Sequence, residues 1–423
     1  MTHNETSPRV FRIRSLCVWM FVGLWVCFFS SVLNGRKTGR QTESHNGSGE
    51  RTKTGFDVYK SMNSEVFSGK RIGLITNQTG VDSEGFHAIE LFAQMRDVKL
   101  VALFSPEHGI NGNADDIVAS AAAGTVPVYS LYGETRRPTD AMLKGIDVLI
   151  FDIQDVGVRF YTYVTTMAYC MEAAAKHHIT FIVFDRPNPL GGEIIEGPML
   201  DADKLSFVGY FPMPVRYAMT MGELAKMFNA ENKIGADLGV FQLRDWRRSE
   251  MYWMTGLPWI APSPNLPGIA NLIPYPGIEI LQAGGVSVGR GTDSAFLEFG
   301  APWIKTEELL AELKRRSIVG VSFEAKTFTP KTGPYAGEKC EGIGLTVTDR
   351  DGFRSMLMGL EIAEALHKLY PQQFQVEKMI TLLGSQSTVE RLERGDATKA
   401  IVAGWDSELA KFQAMRAKYL IYR

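Results

Sequence analysis

Val148-Leu149-Ile150-Phe151-Asp152 is an unbroken apolar run that ends in a carboxylate. With no polar residue alternating through it, such a run describes a strand covered on both faces, as in a parallel sheet. The pattern recurs upstream in Arg71-Ile72-Gly73-Leu74-Ile75-Thr76, which runs into Asn77. It recurs over 98–104, ahead of Ser105-Pro106-Glu107-His108-Gly109, and briefly over 126–129. Downstream, 180–184 leads into Asp185-Arg186-Pro187-Asn188-Pro189. Helical spacing fills 87–95 and 163–177 between these runs. Alternating strands and helices predict a Rossmann-like α/β domain built on a parallel sheet. No GxGxxG follows the first strand, so a dinucleotide, or any other cofactor, is not expected.

Polar residues gather at the carboxyl ends of these strands: Asn77, Glu107 with His108, Asp152 with Asp155, and Asp185 with Arg186. Ligands of open α/β sheets bind along that edge. Asn77 or Asp185 alone reads more simply as a helix cap; four strands delivering polar groups to one rim point to a site. Thr220-Met221-Gly222-Glu223 fits a capping box, and 238–243 reads as another strand. The Pro-rich stretch 258–276 reads as an ordered loop between subdomains or along a cleft. Beyond it, helices over 307–316 and 353–370 and strands over 321–328 and 343–348 predict a smaller C-terminal α/β domain. The expected division is 55–268 for the Rossmann-like domain and 269–423 for the second, with the active-site cleft between them.

Residues 1–34 carry Arg9, Arg12 and Arg14 ahead of an apolar run from Leu16 to Leu33. This is the pattern of an export signal. The run also approaches the ~18 residues that span a bilayer, so an uncleaved membrane anchor is the alternative. Residues 35–54 are polar and read as a flexible tether. Both readings place the protein outside the cytoplasm, periplasmic or extracellular, with membrane contact only through the N-terminal segment. The net charge of −2 in 423 residues gives no reason to expect nucleic acid. Of the four cysteines, Cys17 and Cys27 lie in the apolar segment, and Cys170 and Cys340 are far apart. That spacing suits neither zinc nor a disulfide framework, and the seven histidines show no metal-binding spacing.

Glu107 is the sharpest candidate for chemistry. It follows an apolar strand, Pro106 restricts the backbone before it, and Gly109 permits a tight turn. A carboxylic acid in that setting suits protonation of a leaving oxygen in sugar hydrolysis. His108 could tune it. Two-acid mechanisms need a second carboxylate, and Asp152, Asp155, Asp185, Glu193, Glu196 and Glu298 are candidates; Asp155 is taken with Glu107 and His108 as the catalytic set. Asp155-Val156-Gly157-Val158-Arg159-Phe160-Tyr161-Thr162-Tyr163 combines acid, guanidinium and aromatic groups suited to a sugar. An internal salt bridge from Arg159 to Asp155 is an alternative of equal weight. Gly284 to Thr292 is glycine-rich but lacks the Walker lysine.

Taken together, these motifs resemble the NamZ/YbbC-type exo-β-N-acetylmuramidases of bacteria. The resemblance rests on Gly73 to Gly80, Ser105 to Gly109, Phe151 to Gly157 with Arg159 to Tyr163, and Asp185 to Gly192. Glu196-Gly197-Pro198, Pro262-Ser263-Pro264-Asn265, Tyr275-Pro276-Gly277 and Gly289-Arg290-Gly291-Thr292 follow in the same order. It implies release of terminal N-acetylmuramic acid (MurNAc) from the non-reducing end of peptidoglycan fragments, with Glu107 as the acid. MurNAc carries a lactyl carboxylate that one arginine would read, and Arg159, Arg186 and Arg290 are the candidates. Asn77, Asp152, Tyr161, Tyr163, Asp185, Asn188, Glu196 and Asn265 complete the expected substrate contacts. Two positions depart from the pattern: Ile110-Asn111-Gly112-Asn113 replaces a basic turn, and Asp293 stands where a second Thr is usual. The competing readings are a non-catalytic binder of cell-wall fragments and a hydrolase of another class. No Cys/His pairing supports the latter.

Overall fold

The computed structural model describes residues 51–62, 64–112, 121–123 and 126–423, all within one compact unit, Gly49–Arg423. The export-signal and anchor readings, most of the tether and Asn113 lie outside the described residues. Twelve strands are described: β1 Arg71–Thr76, β2 Lys99–Ser105, β3 Ala121–Ala123, β4 Val126–Ser130, β5 Val148–Asp152, β6 Thr180–Phe184, β7 Glu196–Met199, β8 Pro214–Arg216, β9 Leu238–Phe241, β10 Glu298–Ala301, β11 Val321–Phe328 and β12 Cys340–Val347.

The main sheet has the order β3-β4-β2-β1-β5-β6-β9. Six of its strands are parallel, and only the edge strand β3 pairs antiparallel, with β4. Numbered in chain order, the six parallel strands run 3-2-1-4-5-6, the doubly wound Rossmann order. β1 is central, with Ile75 in register with Phe104 on one side and Phe151 on the other. Strand residues alternate between two cores, as a two-residue period requires. Ile75, Phe104, Leu149, Phe151, Phe181 and Val183 pack with Val164, Met167 and Met171 of the helix Tyr163–Lys176 and with Leu224 and Phe228 of the helix Met221–Glu231. Ile72, Leu74, Leu103, Ile150, Ile182 and Phe184 pack with Phe56 and Tyr59 of the helix Gly55–Ser61 and with Phe92 of the helix Ala88–Gln94. Truncating one of these buried rings to alanine would cost about 3–5 kcal/mol.

The smaller C-terminal part holds the antiparallel sheet β10-β12-β11, with helix Thr306–Arg316 packed on β11 and β12 and helix Ser355–Leu369 packed against that helix. A further helix, Tyr275–Ala283, emerges from the Pro-rich stretch read as loop, and Pro276 sits in its first turn, where the missing N–H costs nothing. Glycine decides how closely it packs. A Cβ on Gly277 would lie 1.8 Å from the Ser355 carbonyl oxygen, and one on Gly359 would lie 2.3 Å from that of Gly277. Residues 51–54, expected in the tether, are hydrogen-bonded into the fold. Thr52 N–H donates to the Thr255 carbonyl and Lys53 bridges Arg244. Thr54 forms a capping box with Asp57.

The chain ends by returning to the first sheet. Ile421 N–H donates to Glu223 (2.8 Å), Arg248 N–H donates to the Arg423 carbonyl (3.1 Å), and the Tyr422 hydroxyl donates to Asp185 (2.6 Å) while accepting from Leu243 N–H (3.0 Å). Tyr422→Phe removes a donor to a buried carboxylate and an acceptor for a backbone N–H. The expected loss is about 1–3 kcal/mol, read as a Tm lowered by a few degrees; an unchanged Tm would show that the Tyr422 hydroxyl carries no stability.

Candidate active site

A cavity of about 360 Å³ opens at the carboxyl edge of the main sheet. Its first wall comes from segments that follow strands: Glu107 and His108 after β2, Tyr132 and Arg136 after β4, and Phe160, Tyr161 and Thr162 after β5. Its second wall comes from later in the chain, with Ser263, Tyr275, Glu279, Arg290, Phe296 and Leu382 among its residues. The cavity therefore lies where the parallel sheet meets the C-terminal part.

Glu107 is held from two directions. The Thr162 hydroxyl donates to Glu107 Oε2 at 2.5 Å. Thr162 occupies the N-cap position of the helix Tyr163–Lys176 but makes no side-chain cap bond there, because its hydroxyl serves the carboxylate. Below it, the Tyr163 hydroxyl lies 3.4 Å from the Glu107 carbonyl oxygen and donates to the Pro262 carbonyl at 2.7 Å. His108 and Gly109 both take left-handed backbone, φ 70° and 75°. For histidine that conformation is uncommon and fits a functional turn. The His108 ring faces Tyr161 at 6.5 Å.

The second carboxylate in this cavity is Glu279, which the sequence reading did not single out. It is buried on the helix Tyr275–Ala283. Burial pushes its carboxyl above the usual range, Arg290 pulls it back, and Glu107 pushes it up again. Arg290 binds Glu279 at 2.5 Å and Gln282 at 2.9 Å, and its guanidinium lies 5.2 Å from the Phe296 ring centroid. The turn presenting Arg290 has left-handed glycines on both sides, φ 74° and 75°. Asn265 accepts from Gly291 N–H at 2.9 Å. Asn265 thus braces the turn and does not line the cavity. A lone acid amid Ile278, Ile280 and Leu281 was the signal available for Glu279.

Several expected contacts prove internal. Arg159 is buried and donates to four carbonyls: Pro198 (3.1 Å) and Met213 (2.7 Å) from Nη1, Leu382 (2.8 Å) and Leu383 (2.7 Å) from Nη2. Burial lowers its pKa to about 9. Among the described residues it pairs with no carboxylate, and it fixes the Leu382 rim from behind. Arg186 is paired with Asp152 at 2.6 Å and donates to the Val81 carbonyl. Neither residue lines the cavity, because both turn into the protein beneath the strand ends. Asp185 accepts from Thr220, Gly222 N–H and Tyr422; it ties down a helix start and the tail, and burial pushes its carboxyl up to about 6. Asn77 accepts from Thr79 and donates to Tyr163 (3.0 Å), while His87 caps the next helix. Asn188 bonds Met219 and Leu190. Glu196 pairs with Arg216. Tyr163 stands one layer behind Tyr161, edge-on at 4.8 Å. Of the expected set, Glu107, His108, Tyr161 and Arg290 line the cavity.

Asp155, expected to be catalytic, is likewise turned inward. Its Oδ2 accepts from both Tyr217 and Gly157 N–H, and its buried Oδ1 meets no donor among the described residues. Burial pushes its carboxyl up to about 6. Between roughly pH 4 and 6 the folded protein keeps this proton while the unfolded chain has released it, so stability falls as pH rises through that window. The amide that replaces the carboxyl in Asp155→Asn would keep both bonds through its single oxygen and would not titrate. The wild type should therefore lose on the order of 2 kcal/mol relative to Asp155→Asn between about pH 4 and 6.5. Parallel pH–stability curves for the two proteins would contradict this.

Comparison with known proteins identifies the family. The family model for the N-terminal domain of exo-β-N-acetylmuramidase NamZ matches residues 72–270, and that for its C-terminal domain matches 273–422. The peptidoglycan β-N-acetylmuramidase NamZ of Bacillus subtilis (strain 168) is 43% identical over 379 residues, covering 88% of this chain and 92% of that protein. Two crystal structures of DUF1343-family proteins from Bacteroides fragilis NCTC 9343 superpose with TM-scores of 0.81 and 0.71. They are 36% and 30% identical, and each match covers 88% of this chain and 99% of the other. The chain belongs to the NamZ family of exo-β-N-acetylmuramidases.

Proposed function

We propose that the protein is a glycoside hydrolase that removes non-reducing terminal MurNAc from peptidoglycan fragments by cleaving the β-1,4 bond. The observation that carries this reading is the cavity with Glu107 on one wall and Glu279 on the other, in a chain 43% identical to a peptidoglycan β-N-acetylmuramidase. Glycoside hydrolysis passes through an oxocarbenium-like transition state served by two carboxyl groups. Glu107, half-buried and held through one oxygen by Thr162, has its other oxygen to offer a leaving group. It is assigned as the proton donor to the glycosidic oxygen. Glu279, fixed by Arg290, is assigned to the developing positive charge or to orienting the reacting group. Phe160, Tyr161, Tyr275 and Phe296 supply the aromatic lining against which a sugar ring packs. Peptidoglycan lies outside the cytoplasm, and the basic residues ahead of the apolar run at 16–33 support export to it.

The assignment of Glu107 is tested with two leaving groups. Glu107→Gln should lower kcat on the disaccharide MurNAc-β-1,4-GlcNAc by about 10³-fold. It should cost far less on a dinitrophenyl β-MurNAc glycoside, whose leaving group departs without a proton. Equal losses on both substrates would remove Glu107 from the proton-donor role, and wild-type binding without turnover would refute the hydrolase reading itself.

A further inference from the structure

The charges around the cavity leave one cation whose role the preceding assignments do not use. Glu107 and Glu279 are both acids, and Arg290 is bound to Glu279 and Gln282. A substrate bearing its own carboxylate meets repulsion from such a pair unless a further cation is present. Arg136 lines the same cavity, on the turn that follows β4. Its side chain is exposed, with the guanidinium carbon 4.4 Å from the Phe207 ring centroid and 5.9 Å from that of Tyr132. Stacking of this kind holds the guanidinium plane while leaving its N–H edge for a planar anion. Among the described residues no carboxylate forms an ion pair with Arg136. Its neighbour Arg137 differs: it pairs with Glu172 and lies 3.5 Å from the Tyr169 ring centroid. The doublet thus splits into one arginine used by the fold and one presented to the cavity.

We infer that Arg136 is a specificity-determining residue that receives the lactyl carboxylate of the terminal sugar, so that the acidic sugar is preferred over its neutral counterpart. This inference rests on the hydrolase reading above. Arg159 and Arg186 are consumed inside the protein, so the task falls to an arginine from a different loop. A muropeptide offers two sources of a carboxylate, the free lactyl group and the peptide stem; the proposal commits to the lactyl group.

The test compares wild type, Arg136→Ala and Arg136→Lys on aryl β-glycosides of MurNAc, of MurNAc with the lactyl group converted to a methylamide, of MurNAc bearing an L-alanyl stem, and of GlcNAc. The expected result for Arg136→Ala is a KM for MurNAc raised about 10- to 100-fold, as for loss of a charge-assisted pair, with kcat within a few-fold. The methylamide and GlcNAc substrates should be little affected, and Arg136→Lys should recover part of the loss. Equal losses on acid and amide, or no loss on the acid, would overturn the inference. A larger loss on the alanyl substrate than on free MurNAc would also overturn it, by assigning Arg136 to the stem. Should wild type hydrolyse none of the MurNAc glycosides, the hydrolase reading fails instead, which is distinct from failure of the arginine assignment.

Discussion

Two carboxylates face one open cavity, and Arg290 is bound to one of them. Coulomb repulsion between acids in a partly desolvated space is costly, so the position of Arg290 against Glu279 governs what the cavity can do. Much of the surrounding architecture serves that pair. Left-handed glycines flank Arg290, Asn265 braces the turn, and the glycine contact between two helices lets the Glu279 helix sit deep. Glu107 is fixed separately, by Thr162 and the turn through His108 and Gly109. The two acids therefore come from different layers of the molecule. Their relation depends on how the helix Tyr275–Ala283 docks beside the sheet.

The buried arginines show how the rim is made stiff. Arg159 collects four carbonyls from three chain segments, and Arg186 locks the ends of β5 and β6 together. Breaking a buried pair strands a charge, which costs more than the pair contributes. Such residues fix geometry without touching a ligand. The residues directly at the ends of β1, β5 and β6 are structural, and the segments that follow β2, β4 and β5 carry the cavity wall.

The sheet was legible because its strands are continuous apolar runs; 71–76, 148–152 and 180–184 coincide with β1, β5 and β6. Glu107 was legible because Pro-Glu-His-Gly follows such a run. Glu279 was not, because its partner lies past the end of its own helix and its setting reads as plain core. Arg136 was not, because two adjacent arginines in a polar turn look like surface. Arg159 and Arg186 misled for a related reason. Sequence places a side chain at a strand end but does not say whether it turns outward, and Arg159 finds its carbonyls 39 to 224 positions away. The minor strands β3, β7, β8 and β10 are three or four residues long, too short for periodicity to register.

The most direct measurement is a crystal structure of Glu107→Gln holding uncleaved MurNAc-β-1,4-GlcNAc. The muramyl ring should lie in the cavity between positions 107 and 279, with the glycosidic oxygen within about 3 Å of the residue-107 amide. A disaccharide bound elsewhere, or one whose glycosidic oxygen lies beyond reach of residue 107, would contradict the assignment.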